Sequence, residues 1–228
     1  MSVTDGGAVT QLPGMVQPAP PNLLGFDANT PISASAAQAF IARGYRYAIR
    51  YVGRRQMKPH DLSTGEAKTI LQCGLALMPV QHVELPGWSP TAALGAEYGT
   101  NAGVFTKQLG FPAGVCVWLD LEEVSSASTA ANVIAYCNAW YNAVAAAGFT
   151  PGVYVGYNPG LTGQQLYLSL RFEHYWGAYN VDVSIPNRGW QLKQSVGKGA
   201  IGGITTEDYD DDTTLTDKKG GQVLWLKV

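Results

Sequence analysis

From Leu23 onward, short apolar runs alternate with stretches in which apolar residues recur every three or four positions. That alternation constrains the fold more than any other feature, because it is the pattern of repeated βα units. Eight runs read as strands: LLGFD (23–27), YRYAIRYV (45–52), LALMPVQHV (75–83), GVCVWLDL (114–121), GVYVGY (152–157), HYWGAYN (174–180), WQLKQS (190–195) and IGGITTEDY (201–209). Helical patterns fall at 33–43, 62–73, 90–109, 128–147 and 161–170. The fourth is the clearest, with Val133, Ile134, Cys137, Trp140, Tyr141 and Val144 on one face. Ser63, with Glu66 three residues on, reads as a capping box for the second helix, and Asp61 is the alternative cap. Gly44, Gly74, Gly110 and Gly148 stand where left-handed helix terminators belong.

Eight strands with helices thinning out in the last third predict an α/β fold, a (β/α)8 TIM-type barrel with degenerate last βα units. An open doubly wound sheet is the alternative, but GFDANT after the first strand lacks the G-x-G-x-x-G pattern. The barrel is assigned to residues 23–212. Residues 1–22, rich in Gly, Pro, Ala and Gln, read as a flexible lead-in. Residues 213–228 read as a tail or an edge strand, since QVLWLKV alternates apolar and polar positions.

The chemistry is carried by GVCVWLDLEEV (114–124). Side chains alternate across a strand, so Val117, Leu119 and Leu121 face the helices. Cys116, Trp118, Asp120 and Glu122 then face the barrel, with the carboxylates at its C-terminal mouth, where barrel active sites lie. Burial and mutual repulsion there raise a carboxyl pKa, the condition for a general acid near neutral pH. The same parity turns Asp27 inward at the end of strand one. It puts Asp208 and Asp210 of EDYDDD (207–212) on one face at the end of strand eight, beside strand one in a closed barrel. Polar and aromatic residues at the other strand ends complete a mouth suited to neutral polyols: Arg50, Gln81, His82, Tyr154, Trp176 and Gln191, with Tyr157, Tyr179 and Gln194 nearby. Asp27 is the expected partner of Arg50.

Other classes are disfavoured. A net charge of −2 gives no electrostatic reason for a nucleic-acid or anionic membrane partner. No apolar run reaches the roughly 18 residues of a membrane span. Cys73, Cys116 and Cys137 form no CxxC pair, and they read as small buried hydrophobes. His60, His82 and His174 fall on separate elements, so neither a metal site nor a cofactor is expected. No G-x-S-x-G elbow supports serine chemistry. The first 22 residues lack a basic start and an apolar stretch, so an ordinary signal peptide is not expected. Any export would then need another route, such as a non-classical, phage or injection-type delivery.

At GFDANTP, YRYAIRYVG, GLALMPVQHV, GVCVWLDLE and GVYVGY, over about residues 23–212, the chain resembles a bacterial glycoside hydrolase-like family. That family is a distant relative of the family-25 lysozymes, which are muramidases. The resemblance implies that Glu122 is the acid and that Asp27, Asp120 and Asp208 or Asp210 surround the scissile bond. It implies a glycosidase acting on peptidoglycan glycan. The competing expectation is a non-catalytic carbohydrate-binding or structural barrel of a phage or secretion-type assembly.

Overall fold

The computed structural model describes residues 10–228. In chain order the elements are β1 (Met15–Pro18), β2 (Leu24–Ala28), α1 (Ala34–Ala42), β3 (Tyr47–Val52), α2 (Thr64–Cys73), β4 (Ala76–Gln81), α3 (Ala92–Gln108) and β5 (Cys116–Leu121). There follow α4 (Ala130–Ala146), β6 (Thr150–Val155), α5 (Gly163–Leu168), β7 (His174–Gly177), β8 (Leu192–Val196), β9 (Tyr209–Thr214) and β10 (Leu224–Lys227). The helices begin where the sequence supplies a hydroxyl. Ser33, Ser63, Thr91, Thr129 and Thr162 each accept a hydrogen bond from the backbone N–H three residues on. Gly44, Gly74, Gly110 and Gly148 close four of these helices with φ of 96°, 102°, 94° and 92°. No described helix is long and apolar enough to cross a membrane.

Strands β2 to β9 close a barrel in the order β4-β3-β2-β9-β8-β7-β6-β5, with β5 returning to β4. The TIM-type expectation holds, and no helix separates β7, β8 and β9. One strand departs from it. β9 begins at Tyr209, beyond most of the expected run 201–209, and runs antiparallel to both β2 and β8. A reversal at Ile201–Ile204, with Gly202 and Gly203 at positive φ, occupies the expected strand instead. The acidic run therefore lies inside a strand that enters at the mouth, rather than ending there.

The seam between β4 and β5 closes only at its mouth half, through Val80–Trp118 and Gln81–Leu119. Toward the base, Leu77 of β4 pairs with Leu226 of β10, and the Leu224 N–H donates to Cys116 Sγ. β10 thus fills the gap where the two strands part. β1 pairs with it from Met15↔Lys227 to Pro18↔Leu224. This corrects the flexible lead-in for its described part: Pro and Gly flank a short strand that adds to the sheet edge, a position that tolerates them. Residues 1–9 of that lead-in lie outside the described residues.

Arg50 corrects another expectation. Ile49 and Tyr51 share the inward parity of Asp27, so Arg50, opposite Ala28, faces the helices. There it pairs with Glu66 at 2.7 Å, both side chains buried, rather than with Asp27. It also donates to the carbonyls of Ala28 and His60. Glu66 is consumed by this pair and by the Ile32 N–H, so the box at α2 is half made, with only the Ser63 oxygen capping. Replacing Arg50 by Leu leaves Glu66 buried without its cation, a loss of about 3–5 kcal/mol. For a chain of this size that is a fall in Tm of roughly 10 °C, to be read by circular dichroism.

Candidate functional site

The mouth of the barrel is an open cleft of about 510 Å³. It is lined by Asn29, Thr30, Tyr51, His60, His82, Val83, Asp120, Glu122 and Asp208. A smaller recess shares Asn29, Tyr51 and Asp208, and adds Asp27 and Asp210. All five expected acids therefore reach one end of the barrel.

Each acid arrives by strand parity. Asp120 stands opposite Tyr154 of β6, and Asp27 opposite Asp210 of β9. Asp212, one pleat deeper than Asp210, points inward and accepts a hydrogen bond from Trp176 Nε1 at 2.8 Å. The intervening Asp211 faces the helices, where the Tyr45 hydroxyl donates to it at 2.5 Å. Asp27 accepts from Gln194 Nε2 at 2.8 Å, and Gln194 accepts from the Tyr154 hydroxyl at 2.9 Å. This chain of amides and hydroxyls holds one carboxyl of the cluster in place.

Burial dominates the electrostatics. It raises the Asp27 carboxyl to about 7, opposed by the Gln194 hydrogen bond and reinforced by the Asp210 charge. Burial pushes Asp120 well above the carboxylate range, helped by Glu122 and Asp27. Asp120 Oδ1 is buried with no hydrogen-bond partner among the described residues. Asp212 is raised well above its ordinary value by burial and then by Asp27. Its Oδ2 is buried with no hydrogen-bond partner among the described residues, which favours the protonated form. Glu122 is raised to about 7 by burial, then by Glu123 and Asp27.

The loop after β5 aims Glu122. Trp88 Nε1 donates to its carbonyl at 2.9 Å, and Glu123 follows with φ of 52°, a left-handed conformation unusual for that residue. Facing it, Gly156 has no room for a side chain, since a Cβ there would overlap Glu122 Oε2.

Several expected sugar contacts are relocated. Gln81 faces the helices, where it accepts from Trp140 Nε1 and donates to the carbonyls of Gly53 and Tyr98. Gln191 precedes β8 at the base and bonds Asp217 and the Glu173 carbonyl. Trp176 and Tyr154 are buried in the floor, where they hold Asp212 and Gln194 rather than stack on a ligand. His82 does line the cleft, with its ring stacked on Tyr51 at 4.6 Å. His60, expected on a separate element, meets it edge-on at 6.0 Å, while His174 stays at the start of β7. Between them lies Asp61, within 2.7 Å of His82 Nε2. The histidines and the Lys58 N–H hold the Asp61 carboxyl below the usual range against its burial, which opposes them.

Tyr51, Asp61 and Asp212 are site residues that motif reading passed over. Tyr51 shares the parity of Ile49 opposite Asp27, and Asp212 continues the parity of Asp208 and Asp210, so both were within reach of the alternation rule. Asp61 carried no such signal, because it sits in the loop before α2.

No curated protein matches the chain by sequence. Solved structures share its fold. The Mycobacterium tuberculosis Tat-secreted protein Rv2525c, in complex with L-tartrate, superposes with a TM-score of 0.64 at 18 % identity, over 87 % of this chain and 98 % of that one. A bacterial lysozyme from Streptomyces coelicolor gives 0.59 at 14 % identity, over 85 % and 92 %. The catalytic domain of endolysin ply40 from bacteriophage P40 of Listeria monocytogenes gives 0.60 at 16 %, over 85 % and 93 %. Residues 38–218, most of the barrel, match one sequence family, and the chain belongs to it: the Rv2525c-like, glycoside hydrolase-like domain.

Proposed function

We propose that the chain is a glycosidase of muramidase type, with Glu122 as the general acid and the bacterial cell-wall glycan as substrate. The observation that carries this reading is the carboxyl of Glu122, raised to about 7 at an open cleft that it shares with Asp120. A carboxyl protonated near neutrality can give its proton to the glycosidic oxygen as that oxygen leaves the anomeric carbon. Positive charge then develops on the sugar ring, and an ionised aspartate of the cluster stabilises it. Water adds to the anomeric carbon, and its proton returns to a carboxylate, which restores the cluster. Tyr157 and Tyr179, exposed just past the ends of β6 and β7, offer flat faces for neighbouring sugars. The lysozyme and endolysin folds among the structural relatives agree with a glycan substrate, and action at the cell wall follows from that substrate.

The test is incubation with purified peptidoglycan and mass spectrometry of the released fragments. Glu122→Gln is expected to lower the rate by about 10²–10⁴. In the parent protein, activity is expected to fall as pH rises through about 7, because the acid form of Glu122 is then lost. Binding to insoluble wall without release of fragments would leave a carbohydrate-binding barrel instead.

Gly156→Ala tests the aim of the acid. Its Cβ displaces Glu122, so activity is expected to drop while the far-ultraviolet spectrum is kept.

The buried acids also oppose folding. Asp212 keeps its proton in the folded state and loses it when unfolded, so its contribution declines as pH rises above its ordinary value of 3.8. Asparagine keeps the oxygen that accepts from Trp176 and supplies an N–H toward Asp27. Asp212→Asn is therefore expected to raise Tm relative to the parent, with a gap that widens from pH 4 to pH 8 in thermal melts. A constant gap would contradict a proton held on Asp212 in the folded state.

A further inference from the structure

Beside the acids, the cleft wall carries a second cluster that the hydrolytic reading does not use. His60 Nε2 lies 3.9 Å from Asp61 Oδ1, and His82 Nε2 lies 2.7 Å from the same oxygen. One ligand atom from each of the three residues falls within 4.8 Å of the others. Zinc bonds of about 2.1 Å in tetrahedral geometry space their ligands roughly 3.4 Å apart. The two measured spacings straddle that value, so small side-chain shifts bring all three atoms onto one ion. We infer that His60, Asp61 and His82 bind a divalent transition-metal ion of the zinc type, with its remaining coordination open to the cleft.

The donor set is two imidazoles and one carboxylate, which suits zinc, cobalt or nickel and not calcium or magnesium. The surroundings hold these donors in place. Arg50, locked in its pair with Glu66, grips the His60 carbonyl. Asp61 turns Oδ2 to the Lys58 N–H at 2.7 Å, which leaves Oδ1 for the imidazoles. The His82 ring is held by its stack on Tyr51, and its backbone N–H donates to the Val52 carbonyl. His60 alone is half exposed and free to adjust. Of the cations that line the neighbouring recess with His82, Arg54 is engaged by Glu84 and Arg55 by Glu97. An ordinary Asp–His hydrogen bond accounts for Asp61 and His82, but it gives no reason for a second imidazole turned to the same oxygen. Three protein ligands with an open position toward a cleft match the arrangement of zinc sites that take a substrate oxygen or water. Sugar hydroxyls and carboxylate substituents are the ligands such a position accepts.

The experiment is titration of the metal-free full chain with zinc by calorimetry, and with cobalt by visible absorption. One ion per chain is expected, with the intense d–d bands of a low-coordinate cobalt site. His60→Ala and His82→Ala are each expected to weaken zinc binding about tenfold or more, while His174→Ala and Glu122→Gln leave it unchanged. Thermal melts of the variants identify any that fail to fold, and the cobalt spectrum of the parent chain then decides alone. Absence of saturable binding overturns the site, as does binding that either folded histidine variant leaves intact, or a cobalt spectrum of the hexa-aqua type. None of these readouts depends on hydrolysis, so the metal site and the glycosidase reading stand or fall separately.

Discussion

Asp27 and Asp210 face each other across the β2–β9 ladder, with Asp212 one pleat deeper toward Trp176. That pairing concentrates the acids, and it exists because β9 is inserted antiparallel between two strands that run the other way. A parallel strand would bring its carboxyls to the mouth only at its last residues. The antiparallel one enters at the mouth and carries them down into the barrel. Like charges at such spacing in a dry interior cannot all ionise, so the cluster keeps protons at neutral pH. Burial is the largest cause of the raised carboxyl pKa values at Asp27, Asp120, Asp212 and Glu122, and neighbouring carboxylates, Asp27 among them for the other three, add to it.

Strand alternation accounts for what could be read before the fold was known. For β5 the reading is complete: an all-apolar outer face, Trp118 and Asp120 inward, Glu122 at the rim. The rule needs only the parity of one strand, and the terminal acid sets it. It failed in β3 and β4, where no acid in the strand fixes which parity faces the mouth. Arg50 and Gln81 lie in strands whose two sides are both covered, so polarity near a strand end looked like a cleft wall. In the fold both turn to the helix layer, where Glu66 and Trp140 satisfy them. The eighth strand failed for a different reason. Three consecutive aspartates have poor β propensity, and only long-range partners, the Tyr45 hydroxyl and Trp176, make that strand tolerable.

The loop residues were invisible for want of any periodicity. His60 lines the cleft with Asp61 buried beside it, and Arg50 ties this segment before α2 to the barrel wall through the His60 carbonyl. The sequence shows that Arg50 needs an anion, and its place near a strand end suggests one inside the barrel. Its partner is Glu66, which the Ser63 spacing marks as a helix cap, and one carboxylate cannot fully serve both. Long-range pairing won over the local box because burying an unpaired guanidinium costs more than leaving one helix N–H to another acceptor.

The aim of Glu122 shows how a single acid is set apart from its neighbours. Glu123 is adjacent in sequence and is also a glutamate, yet the backbone turns left-handed at that residue, so the two side chains leave the strand end differently. Trp88 pins the Glu122 carbonyl, and Gly156 leaves a gap that the Glu122 carboxyl occupies. Burial on one side of that gap keeps the proton on, and the open cleft on the other gives the proton somewhere to go. A carboxyl sealed in the floor, as Asp212 is, has the first property without the second. A fully solvated carboxyl would have the second without the first. Glu122 has both because it stands one residue past the end of β5, where the barrel stops shielding it and the loop has not yet left the wall.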